Sequence, residues 1–159
     1  MRRRLQRLDN EIALNWLNKG ITGILSLNDK DGYPYTIPLN YVLIEDSIYF
    51  HCALEGKKID LIRMNSKACF CVVEKDEIIP LTFSTSYGSV ICKGDIRLIE
   101  ETQEKRYVLE QLCENYAKNY PDLAKIEIDS NIDYCAIVGL KIVSIVGKQS
   151  KDRIKCSHQ

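Results

Sequence analysis

The sequence has only two histidines among its 159 residues and no pair of cysteines spaced as CxxC. Structural zinc needs Cys and His ligands at short, fixed spacings, so this scarcity argues against a metal site. No apolar run approaches the roughly 20 residues of a membrane helix. The start, "MRRRLQRLDNE", is basic, but acidic residues follow with no hydrophobic stretch, so it does not read as a secretory signal. An excess of one charge is missing too: Lys+Arg 22 balance Asp+Glu 22, and no global field draws the chain to nucleic acid or to a membrane. The Arg2–Arg4 cluster stands alone, with no basic–aromatic stripe behind it. The GxGxxG and GxxxxGKS/T phosphate loops and the GxSxG nucleophile elbow are all absent. These absences leave a cytoplasmic protein that needs no membrane, nucleic acid or metal.

What is present fits one domain. An apolar content of 45% excludes a disordered chain, and 159 residues suffice to bury a core. There is no internal repeat or interdomain linker. The seven cysteines are odd in number, and most sit inside apolar strand-like runs. They read as small buried hydrophobes in a reducing compartment, with Cys52 and Cys156 the most exposed of them.

The pattern of elements comes next. "LDNEIALNWLNKG" reads as a short helix, with Ile12, Trp16 and Leu17 on one stripe and Gly20 at its end. "ITGILSLNDKDGYPYTIPLNYVLIEDSIYFHCA" holds three strands, punctuated by "NDKDGYP" and "EDS". "GKKIDLIRMN" is a helix, "KACFCVVEK" a fourth strand and "SVICKGDIRLIE" a fifth, while "DEIIPLTFSTSYG" is a connection without a readable propensity. "ETQEKRYVLEQLCENYAKNY" is the longest helix, with a stripe of Tyr107, Leu109, Leu112, Cys113 and Tyr116, broken at Pro121. "DYCAIVGLKIVSIVGK" closes the core as one long strand or a bent pair, and residues 149–159 read as a loose polar tail after a domain spanning 1–148. The connections are too short for parallel crossovers. The expectation is a mainly antiparallel sheet of six strands, closed with helices into a small barrel.

Four stretches could carry chemistry. In "YFHCALEGKKID" a glycine and two lysines open a helix, where the macrodipole disfavours cations unless an anion sits among them. Glycine, lysine and free helix N–H groups together can hold a phosphate; the alternative is a solvated pair at a loop–helix junction. His51 and Ala53 share a strand face, leaving room for a ligand beside the imidazole, unless His51 is a core residue bonded to backbone. Pro38 in "PYTIPLNY" cannot donate to a ladder, which implies an edge, a bulge or a backbone turned to a ligand. Ser89 follows a glycine at a strand start, where it either meets a phosphate oxygen or serves a turn.

In order along the chain, "MRRR", a short helix, "GILSLNDKDGYPYTIPLNYV", "IYFHCALEGKKIDLI", "ACFCVV" and "YGSVICKGDIRLIE" resemble the pyridoxamine-phosphate-oxidase-like FMN-binding split barrels. Within them the sequence is most similar to the branch that includes the nitroimidazole-resistance proteins. The resemblance implies a six-stranded antiparallel, Greek-key split barrel that is a homodimer with FMN at the subunit interface. It sets Pro38, Leu39, Asn40 and Tyr41 along the isoalloxazine and ribityl chain, His51 and Ala53 against the cofactor, and Gly56, Lys57 and Lys58 at the phosphate. Tyr87, Ser89 and Val90 complete that pocket, and Trp16 and Lys148 approach from the partner chain. The tail "SKDRIKCSHQ" has no counterpart of the pyridoxal-phosphate-binding segment of the true oxidases. The implied activity is therefore an oxidoreductase passing electrons from NAD(P)H or another donor through FMN to a small acceptor, with His51 the candidate catalytic residue. The alternative is a non-catalytic flavin- or haem-binding module, with His51 or His158 as an axial haem ligand.

Overall fold

The computed structural model describes residues 4–156. Helix α1 (Asn10–Lys19) precedes β1 (Thr22–Asn28), β2 (Pro34–Asn40), β3 (Val42–Ile44) and β4 (Ser47–Ala53). Helix α2 (Lys57–Met64) leads into the long hairpin of β5 (Lys67–Ile79) and β6 (Ser84–Ile99). Helices α3 (Thr102–Tyr116) and α4 (Pro121–Asn131), strand β7 (Cys135–Gln149) and helix α5 (Lys151–Cys156) complete the order. The strands form one antiparallel sheet in the order β2-β1-β5-β6-β7-β4-β3, curled into a half-barrel with flanking helices. No helix among the described residues is long and apolar enough to cross a membrane.

The sheet has seven strands where the spacing predicts six. The extra one arises at Tyr41, where the single expected strand through "YTIPLNYVLI" breaks into β2 and β3. Tyr41 leaves the ladder to donate its N–H to the Ile21 carbonyl, and its side chain turns wholly into the core. There its hydroxyl donates to the Leu17 carbonyl, and its ring meets Phe70 edge-on at 4.9 Å. Desolvation pushes the phenol well above its ordinary range. A buried tyrosine with its hydroxyl satisfied is worth more inside than a continuous edge strand.

Four further expectations change. The unread stretch "DEIIPLTFSTSYG" is not a connection. Instead β5 and β6 run on through it, joined by a short 3-10 turn at Pro80–Thr82. Pro121 does more than end a helix, since it occupies the first turn of α4, where its missing N–H costs nothing. The helical stripe on α3 is carried by Val108 and Leu112, leaving Tyr107 half-exposed. The tail, expected to be loose from residue 149, is tied down through α5. Ser86 Oγ donates to Asp152 at 2.7 Å, Tyr87 N–H donates to Ser150 Oγ at 3.1 Å, and Arg153 pairs with Glu74. Those polar residues are held because each finds a partner on the hairpin, which a reading of polarity alone cannot show.

The core lies on the concave face of the sheet. Leu25, Phe50, Phe70, Val90, Cys92 and Leu140 fill it, and α1 caps it with Ala13 and Leu17. A smaller cluster of Val42, Ile99, Val108, Leu112 and Ile137 packs under α3 on the other face. Cys92 is buried and its thiol is pushed up to about 12 by desolvation; the other five cysteines with described side chains are half-buried free thiols. Cys52 is thus no more exposed than its neighbours, and the side chain of Cys156 lies outside the described residues. Gly94 sits where the β6–β7 register shifts, and a Cβ there would collide with the Lys141 carbonyl. Only glycine permits that close backbone approach.

Candidate functional site

The basic turn has the geometry of an anion cradle. Strand β4 ends at Ala53, and the chain re-enters a helix through Gly56 at φ 115, a conformation side chains resist. Nothing stands within 4 Å of where its Cβ would be, so the glycine is required by the backbone turn and not by crowding. No side chain caps α2. Its first-turn N–H groups are therefore available to a ligand. Lys57 and Lys58 begin this helix, while Ile59, Leu61 and Ile62 anchor its inner face in the core. A cavity of about 190 Å³ opens here, lined by Tyr35, Cys52, Ala53, Gly56, Lys57 and Lys58 among others.

Two neighbours of the cradle escape sequence reasoning. Lys57 pairs with Asp29 at 2.6 Å and lies 5.3 Å from the centre of the Tyr35 ring. The pairing lowers the Asp29 carboxyl and raises the Lys57 amine. Lys58 stands over the Phe50 ring at 5.7 Å. Burial pushes the Cys52 thiol up, partly opposed by the Lys58 charge. Tyr35 could have been found from the alternation of β2, where Tyr35, Ile37 and Leu39 turn inward. Nothing local to the sequence joins Asp29 to Lys57.

The other expected residues divide by sheet face. Pro38 and Asn40 are exposed on the outer face of edge strand β2, and Asn40 Oδ1 accepts from the Thr22 hydroxyl at 3.1 Å. Leu39 is half-buried against the core, while Tyr41 and Val90 are fully buried, so these two side chains cannot touch a ligand outside the core. His51 and Ala53 are exposed together on the outer face of β4.

A second group gathers at the far end of the sheet. Tyr87 and Ser89 lie on β6, and Ser89 pairs with Lys148 on β7. The Lys148 ammonium stands 5.0 Å from the Tyr87 ring centre. Trp16 lies on the opposite face of β6, beside Gly88, with the Arg153 guanidinium stacked 4.7 Å from its ring. A Cβ on Gly88 would meet Trp16, Arg153 and Glu74 within 2.7 Å, which fixes how closely these side chains crowd the strand. Neither Arg153 nor Glu74 carries a sequence signal. His51 pairs with Ile137, whereas Ser89 pairs with Lys148, eleven positions further along β7. That contour is roughly 35 Å. None of Trp16, Tyr87, Ser89 or Lys148 lines the cavity at the basic turn. Within one chain the expected residues thus form two groups, not one. His158 lies outside the described residues.

A curled antiparallel half-barrel with flanking helices defines the chain as a split-barrel protein. The family model described as pyridoxamine 5'-phosphate oxidase matches residues 9–149, and the chain belongs to that family. Among solved structures it is similar to a candidate 5-nitroimidazole antibiotic resistance protein from Bacteroides thetaiotaomicron. That pair shows 23% identity and a TM-score of 0.74, over 90% of this chain and 86% of the other. A conserved hypothetical protein from Mycobacterium tuberculosis gives 20% identity and a TM-score of 0.80, over 95% and 91%. The FAD and haem binding protein from Mycobacterium smegmatis gives 16% and 0.75, over 97% and 80%. At these identities the likeness is one of fold. No curated protein matches the chain.

Proposed function

We propose that the chain binds FMN as a homodimer and works as an oxidoreductase, taking electrons from NAD(P)H or another donor and passing them to a small acceptor. The observation that carries this reading is the uncapped start of α2, with Gly56, Lys57 and Lys58 around a cavity beside Tyr35. A phosphate dianion there gains charge-assisted hydrogen bonds from two ammonium groups and helix N–H donors, each contributing about 1.5–3 kcal/mol. The outer face supports the flavin ring: Pro38 and Asn40 stand on β2, and His51 and Ala53 on β4. A bound flavin supplies the redox chemistry, and the chain's own groups hold it, orient it and exclude water.

The same geometry supports the homodimer reading. Trp16, Tyr87 and Lys148 do not line the cavity at the basic turn of their own chain. A second copy can bring them there. The outer face also carries an apolar row fit for burial, because Pro38, Ile24, Cys71, Ile91 and Val146 pair in turn across five strands. Ile24 and Ile91 are exposed. The same exposed His51 favours a second reading, a flavin- or haem-binding module in which it ligates iron, as befits a fold shared with an FAD and haem binding protein.

The absorption spectrum of the purified protein, with the released chromophore identified, tests both. Flavin bands, FMN release and preference for FMN over riboflavin are expected. A colourless protein that takes up no FMN overturns the flavin reading, and equal binding of FMN and riboflavin removes the phosphate site. A Soret band on haem titration that His51→Ala abolishes selects the second. Turnover of NAD(P)H with an artificial acceptor separates an enzyme from a carrier.

A further inference from the structure

The β5–β6 hairpin ends in an apolar tip with nothing of its own chain against it. Ile78, Leu81 and Phe83 are 76%, 95% and 99% exposed. The tip is nonetheless ordered by its own bonds: Phe83 N–H donates to the Pro80 carbonyl, and the Thr82 hydroxyl meets Ser84 Oγ at 2.7 Å. Phe83 takes the left-handed conformation, φ 48, that ends the Pro80–Thr82 turn. The base of the arm is fixed by the Arg153–Glu74 and Ser86–Asp152 pairs. An arm presenting bare apolar groups is an interaction element.

The same molecule holds a receptor for it. A cavity of about 450 Å³ opens on the outer face, where Ser26, Cys69, Lys93 and Val143 are among its lining residues. Lys67 also lines it. Ion pairs within the chain take up most of these charges, Glu74 with Arg153, Glu77 with Lys75, and Lys67 with Asp95, which also lines the cavity; Asp76 on the arm and Lys93 in the cavity are the charges that complement one another. Register fixes the direction: Ile78 pairs with Thr85, Asp76 with Tyr87, Val73 with Ser89 and Cys71 with Ile91, which sets Ile78 on the outer side of the sheet with the apolar row. Along β5, Glu74 stands midway between Ala68 at the cavity and Pro80 at the turn. A two-fold axis passing there exchanges tip and cavity between two copies, as a self-complementary interface requires.

We propose that the arm is a reciprocal clasp, in which the tip of each copy seats in the outer-face cavity of a second copy. The proposal rests on the homodimer reading above and assigns its contacts. Acidic residues beside the tip oppose the alternative of an anionic lipid surface.

Leu81→Cys gives a direct test, because Cys69 lines the cavity. Ala68 and Pro80 are roughly 40 Å apart along the strand, so a disulfide between Cys69 and position 81 can form only between copies. With diamide accepting the two electrons and two protons, Leu81→Cys is expected to yield a disulfide-linked dimer that Leu81→Cys/Cys69→Ser does not. Ile78→Ser/Leu81→Ser/Phe83→Ser, confined to exposed positions, is expected to weaken the dimer about tenfold or more in sedimentation equilibrium. A wild-type dimer with no cross-link and an unchanged constant in the triple variant overturns the clasp and leaves the homodimer standing. A monomeric wild type overturns the homodimer and the clasp together. Wild-type co-sedimentation with phosphatidylglycerol vesicles, lost in the triple variant, overturns the clasp in favour of a membrane.

Discussion

The two ends of β7 treat charge in opposite ways. At the end where β7 pairs with β4, Lys57 and Lys58 sit on a helix start with no side-chain cap, beside an open cavity. At the end where β7 pairs with Tyr87 and Ser89, the cations are already engaged. Arg153 makes two hydrogen bonds to Glu74 and covers Trp16, and Lys148 covers Tyr87. One end is prepared for an incoming anion, while the other is sealed by the chain's own C-terminal helix. Cationic residues alone therefore do not mark a phosphate site. Lys57 too has a counter-charge in Asp29, so what distinguishes the two ends is the uncapped helix start and the cavity beside it.

The sharpest way to break this comparison is to remove the cations from the open end. Lys57→Ala/Lys58→Ala deletes two charge-assisted hydrogen bonds, and FMN affinity should fall on the order of 100-fold or more. Lys125→Ala, on the distant α4, should leave it unchanged. Fluorescence titration of FMN checks both, and equal retention would show that the open end holds no phosphate. Thermal stability should barely change, since Lys57 is exposed and its pairing with Asp29 is a surface contact.

A smaller effect is expected at the sealed end. Arg153→Ala removes the Glu74 pair and the cover over Trp16, both partly exposed, and should cost about 1 kcal/mol of stability. Trp16 is the only tryptophan, so its emission should shift to the red as water reaches the indole. The pH dependence has a definite sign. Hydrogen bonds from Ser150 and Ser86 lower the Asp152 carboxyl, so its contribution to holding α5 is complete above the ordinary aspartate range near 4 and is lost as pH falls through the lowered value. The Trp16 emission of wild type should move in that acid window, and that of Asp152→Asn should not.

Much of this contrast was legible in the residues, and its limits have physical causes. Period-two runs and short turns predict the antiparallel sheet because strand alternation is a local property. Gly56, Lys57 and Lys58 are adjacent in sequence, so the cradle they form is legible too. The division of β2 from β3 was hidden because it depends on what Tyr41 finds in the core, Leu17 and Phe70, both distant in sequence. The docking of α5 was hidden likewise, since Asp152 and Arg153 look like solvated tail residues until Ser86 and Glu74 are known to face them. Tyr41 and Val90 were legible as part of a pattern but not as buried, because alternation gives the two faces of a strand without saying which one is inside.

The finest test of the comparison lies in the counter-charge that the open end does have. Asp29 holds Lys57 at 2.6 Å, and each raises the charged fraction of the other. An arriving phosphate must compete with that carboxylate, so the open end is partly satisfied before it binds anything. Asp29→Asn removes the competitor while keeping the turn, in which Asp29 also accepts from the Lys30 N–H at 2.7 Å. A pair of this kind at the surface is weak, so FMN should bind up to about fivefold more tightly in the variant. The gain should shrink as salt is raised, because salt screens both the lost attraction and the new one. Riboflavin, with no phosphate, should bind Asp29→Asn and wild type alike. A gain for riboflavin equal to that for FMN would mean that Asp29 acts on the ring and not on the phosphate, and the open end would then have to be redrawn around Tyr35.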